Sequence, residues 1–104
     1  MKKYKVKLKH TELESLRQYV GDVVSFMVDE GTDDDNDRLL AATLMQVQMK
    51  LDGKLAAPQL KYRISFSPAE SFAIRLIGSD FAAGNIYVQN LMLRITNEVH
   101  QAFQ

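Results

Sequence analysis

Two stretches of this chain match without a gap, 58 positions apart: KYKVKLKHTELESLRQYV at 3–20 and KYRISFSPAESFAIRLIG at 61–78. Lys3/Lys61, Tyr4/Tyr62, Glu12/Glu70 and Arg17/Arg75 are identical, and Lys5/Arg63, Val6/Ile64, Leu8/Phe66 and Leu16/Ile74 agree in kind. Each stretch reads as a strand running straight into a helix. A chain built on two such units has few ways to fold, because each strand needs a partner and each apolar face needs a cover.

The strand reading rests on period two. Tyr4, Val6 and Leu8 alternate with Lys3, Lys5, Lys7 and Lys9, and Leu60, Tyr62, Ile64 and Phe66 alternate with Lys61, Arg63 and Ser65. One apolar and one polar face describe a half-buried strand. After the first strand the spacing of Leu13, Leu16, Val20, Val23 and Met27 lays one stripe along a helix at about 11–29. Thr11 with Glu14 has the form of a capping box at its start, and Gly31 suits its end. A polar loop, Gly31–Asn36, leads to a second helix at about 37–51, capped by Asp35 or Asn36 and carrying Leu40, Leu44, Val47 and Leu51. Asp52-Gly53 is expected to end it.

In the second unit Ser67, Pro68 and Glu70 have the order of a helix start, with Ser at the N-cap, Pro at N1 and Glu at N3. The helix carries Phe72, Ile74, Leu76 and Ile77 and is expected to stop near Gly78. Because Phe72, Ile74 and Leu76 also alternate, a hairpin with the preceding strand is the competing reading. Asp80 or Asn85 starts a last helix at about 85–102, with Val88, Leu91, Ile95, Val99 and Ala102 as its buried stripe.

The expected architecture is α+β: a duplicated strand-helix-helix unit whose two strands pair as an antiparallel ribbon packed on four helices. A lone two-stranded ribbon is barely stable, so its apolar face must rest on the helices. The 104 residues suit a single domain, 1–104, with repeats 1–53 and 60–104 and a linker at 54–59 containing Pro58. Without cysteine neither a disulfide framework nor a thiolate metal site can form. Apolar runs are too short to span a membrane, and the Lys-rich start alternates where a secretory signal would be continuous, so a cytoplasmic protein is expected.

Net charge is zero but unevenly placed. Lys2, Lys3, Lys5, Lys7 and Lys9 stand without an acid in the first ten residues, while Asp29, Glu30, Asp33, Asp34, Asp35 and Asp37 stand without a base at 29–37. A short strand of alternating basic and apolar residues followed by two helices resembles the ribbon-helix-helix repressors, here as a tandem copy in one chain. That resemblance implies that Lys5, Lys7, Lys9, Lys61, Arg63 and Ser65 would meet base edges in a DNA major groove. It also implies phosphate contact at the amino end of the second helix, where this chain carries Asp33, Asp34, Asp35 and Asp37.

Signatures of catalysis and metal binding fail on inspection. Asp33, Asp35 and Asp37 have the first spacings of a calcium loop, but Arg38 and Leu44 stand where Gly and Glu are required. His10 and His100 are far apart, Ser79 lacks the surroundings of a nucleophile, and no phosphate-binding glycine loop is present. A non-enzyme without a cofactor is therefore expected. The leading expectation is an interaction or assembly module, self-associating or accessory to a protein partner, through Leu39, Met45, Met49, Tyr87 and Leu93 on the second helix of each unit. The alternative is a DNA-binding regulator using the basic outer face of the ribbon.

Overall fold

The alternating segments form β1 (Tyr4–Lys9) and β2 (Lys61–Phe66), paired antiparallel with Tyr4 opposite Phe66, Lys5 opposite Ser65, Val6 opposite Ile64, Lys7 opposite Arg63, Leu8 opposite Tyr62 and Lys9 opposite Lys61. Among the described residues four helices complete an α+β fold: α1 (His10–Glu30), α2 (Asp35–Leu55), α3 (Pro68–Asp80) and α4 (Ile86–Ala102). This computed structural model describes residues 2–31, 33–80 and 86–103. None of the helices among the described residues is long and apolar enough to cross a membrane.

The inward face of the ribbon (Tyr4, Val6, Leu8, Tyr62, Ile64 and Phe66) is wholly buried. It joins one core with Leu13, Leu16 and Val20 of α1, Leu44, Val47 and Leu51 of α2, Ile74 and Ile77 of α3, and Leu91, Ile95 and Val99 of α4. Burying a side chain of this size stabilises by about 1.5–3 kcal/mol, so the ribbon is held chiefly by its apolar face. Tyr4 stacks near Phe66 with ring centroids 6.2 Å apart, a cross-strand aromatic pair.

The helix limits differ from expectation in four places. α1 begins directly after β1 at His10, and the capping glutamate is Glu12, whose Oε1 accepts the Lys9 N–H at 2.8 Å. Thr11 and Glu14 take other partners: Thr11 Oγ1 meets the Tyr87 hydroxyl at 3.3 Å, and Glu14 pairs with His10 at 3.0 Å. With no turn between strand and helix, the N3 position falls three residues after the last strand residue. α2 starts at Asp35 and its cap is Asp34, one residue before the first of the two expected caps, with Asp34 Oδ1 accepting the Asn36 N–H. It also runs through Gly53 to Leu55, because Arg17 holds Asp52 at 2.7 Å and Leu55 packs on the core. One helical glycine costs only about 1 kcal/mol.

α3 passes Gly78 and reaches Asp80. Ser71–Ile77 is helical, which removes the hairpin reading: Ala73, Ile74 and Ile77 are buried and Phe72 and Leu76 are exposed. Asp80 is therefore the last residue of α3 and not the start of α4, which begins at Ile86, while the capping role expected of Asn85 lies outside the described residues. At Gly31 the expected stop stands, with φ +68° and the Gly31 N–H bonded to the Met27 carbonyl at 3.2 Å.

Candidate nucleic-acid interface

Strand pleating that buries one face must deliver the other to solvent. Lys5, Lys7, Lys9, Lys61 and Arg63 are all exposed on the outer face of the ribbon, and Ser65 is half-buried beside them. The structure thus brings together the six residues for which the resemblance implied base contact, and Lys3, assigned to the same face by alternation, is exposed just before β1. The register sets Lys7 directly opposite Arg63 and Lys9 directly opposite Lys61. Like charges in facing positions destabilise a sheet.

No acid relieves them: among the described residues none of the five cations forms an ion pair. Lys2, Lys3 and Lys54 likewise form no ion pair among the described residues, whereas three bases beneath or beside the ribbon are matched. Arg17 is held by Asp52, Lys50 by Glu70 at 2.8 Å, and Arg94 by Glu12 at 2.9 Å and Glu98 at 3.5 Å. At the centre of the face Lys5, Val6, Lys7, Arg63, Ile64 and Ser65 line a shallow depression of about 250 Å³.

Polar anchors tie this face to the helices. The Tyr4 hydroxyl donates to Glu98 Oε1 at 2.7 Å, and burial, reinforced by that carboxylate, pushes its pKa far above the usual phenol range. Glu98 is linked through Arg94 to Glu12 and hence to the Lys9 N–H, so α4 and the start of α1 brace β1 at both its first and its last residue. At β2, Lys50 Nζ donates to the Ser65 carbonyl and to Glu70, each at 2.8 Å, and lies 5.4 Å from the Phe66 ring centroid. Burial works to raise the Glu70 carboxyl, but the Lys50 ammonium and the Ser67 N–H outweigh it, and its pKa lies below the ordinary 4.5. The Tyr62 hydroxyl accepts the Gln59 N–H and meets His10 Nδ1, both at 2.9 Å. These long-range partners were not legible in the sequence, since no local pattern joins Tyr4 to Glu98 or Lys50 to Glu70.

The acidic run lies elsewhere. Asp33, Asp34, Asp35 and Asp37 are exposed where α1 gives way to α2, with Arg38 loosely set 3.6 Å from Asp33 and 3.7 Å from Asp35. α1 leaves the ribbon at His10 and its 21 residues place this turn about 30 Å from the strand end at 1.5 Å per residue.

The five apolar candidates, Leu39, Met45, Met49, Tyr87 and Leu93, are all exposed, Met49 the most at 74%. They do not share one face. Met45 and Met49 stand one turn apart on α2, but Leu39 is rotated from them by about 80–120° and Tyr87 from Leu93 by about 120° at 3.6 residues per turn. Sequence reasoning missed a groove of about 260 Å³ where Met27 and Val28 of α1 face Ala41, Ala42 and Met45 of α2. It also missed exposed Phe26 and Ile86, and Leu60, expected on the apolar face of the second strand, instead precedes β2 and is 93% exposed. Comparison with protein-family models, curated proteins and solved structures gave no match to this chain.

Proposed function

We propose that this protein binds double-stranded nucleic acid through the outer face of its ribbon, as a non-catalytic single-chain regulator. The observation that carries this reading is the open face on which Lys5, Lys7, Lys9, Lys61 and Arg63 stand without acids, two pairs of them like against like. A fold tolerates such self-repulsion cheaply where a polyanion relieves it. A two-stranded ribbon fits a major groove about 12 Å wide. Zero net charge is no obstacle, because the acidic turn lies about four Debye lengths away at physiological salt.

The reading includes the duplicated strand-helix-helix unit, and three features support it. The 58-residue offset sets Val6 on Ile64, and these two residues face each other at the centre of the ribbon, where a two-fold axis between the units would pass. Glu12 and Glu70, matched by the same offset, each accept the N–H of the residue just before their helix, Lys9 and Ser67, at 2.8 Å. Each glutamate is reached by a base from the other unit: Arg94 of α4 for Glu12, Lys50 of α2 for Glu70.

Fluorescence anisotropy with labelled duplex DNA at low salt tests the proposal. Binding in the micromolar range is expected, with a log–log salt slope of about −4 to −5 for five neutralised phosphates. Lys7→Glu and Arg63→Glu should each weaken it severalfold or more. A duplex that stays free at about 100 micromolar protein, on the order of the weakest non-specific binding, rules the proposal out.

The second reading, an assembly module, is favoured by the exposure of Met45 and Met49 beside the Met27–Val28 groove. Methionines suit adaptable contact surfaces. Light scattering across a concentration series decides whether the chain self-associates: a constant monomer mass leaves only association with other proteins.

A further inference from the structure

Resting on that reading of the ribbon, we infer that the duplex it takes is non-palindromic, with a guanine-rich half that always lies under the same end of the ribbon. Two identical strands related by a two-fold axis would present the same side chains to both halves of a site and would demand a palindrome. Here the positions matched by the 58-residue offset carry different chemistry: Lys5 matches Arg63, and Lys7 matches Ser65.

The register turns this difference into a gradient along the face. Lys5 is opposite Ser65 at one end, with exposed Lys3 just beyond it, whereas Lys7 opposite Arg63 and then Lys9 opposite Lys61 gather four cations toward the other. Lys and Arg only donate hydrogen bonds, so the crowded end matches bases that present two acceptors in the major groove, as guanine does with N7 and O6. Ser65 both donates and accepts, so the opposite end sets a looser demand. Arg63 is the residue best placed for bidentate recognition, because its planar fork cannot be reproduced by the lysine at the matching position.

Selection from a random duplex library on the full chain, followed by sequencing, tests this. The expected motif is non-palindromic with guanines confined to one half. Arg63→Ala should reduce the preference at one guanine position by about tenfold or more, and Ser65→Lys should move the motif toward a palindrome. Far-ultraviolet circular dichroism of both variants shows that the fold is kept. A palindromic motif, or retention of duplexes with no sequence preference, overturns the inference and leaves duplex binding standing. Retention of no duplex overturns both.

Discussion

A methyl group built at Gly78 would sit 2.7 Å from Thr96 Oγ1 and 3.3 Å from Met92 Cε, where α3 meets α4. Thr96 is β-branched and its hydroxyl is buried without a partner among the described residues, so it has little freedom to yield. At Gly53 nothing lies within 4 Å of the added carbon. Gly78→Ala is therefore expected to destabilise by about 1 kcal/mol net of its gain in helix propensity. Gly53→Ala should stabilise by about the same amount, and urea unfolding of the two variants should show opposite shifts in midpoint. Glu70 makes a pH prediction. Its folded pKa lies below 4.5, so its contribution is present above the unfolded value and is lost as pH falls through the folded one. Glu70→Gln should cost about 2 kcal/mol at neutral pH, from the Lys50 and Ser67 bonds together. The gap from the parent chain should narrow once pH drops below about 4. Urea midpoints measured at pH 7 and pH 3 check it.

At the level of the element, the ribbon separates stability from binding. Lys7 stands opposite Arg63, so Lys7→Glu exchanges a repulsion for an attraction and should stabilise by a few tenths to 1 kcal/mol. The same change should weaken duplex binding, and a variant that gains stability while losing affinity identifies the lysines as a binding face. Lysines also guard open strand edges against aggregation. If that were their whole role, Lys7→Glu would leave duplex affinity unchanged. The anchors beneath the ribbon are separable too. Arg94 with Glu12 and Lys50 with Glu70 share no residue. Arg94→Ala and Lys50→Ala should then add in thermal denaturation, within about 0.5 kcal/mol in the double variant.

Across the whole molecule, charge is sorted along its length. The cations of the ribbon and the acids of the α1–α2 turn lie at opposite ends of α1, in a molecule about 40 Å long. A neutral chain thereby has a basic end able to steer toward a polyanion, and raising ionic strength should slow association more than it speeds release. What sequence determined by itself was periodic and local. Alternation placed Tyr4, Val6, Leu8, Tyr62, Ile64 and Phe66 inward and the bases outward, because side-chain direction in a strand depends only on parity. The helical stripes and the Ser67–Glu70 cap follow for the same reason. Tertiary structure alone decided the rest. Glu12 rather than Glu14 caps α1 because the strand meets the helix without a turn, and α2 outruns its glycine because the packing of Leu55 outweighs a propensity of about 1 kcal/mol. The contacts of Tyr4 with Glu98 and of Lys50 with Glu70 close loops that no local pattern encodes, and the facing of Lys7 and Arg63 follows from the register that packing of the ribbon on its helices selects.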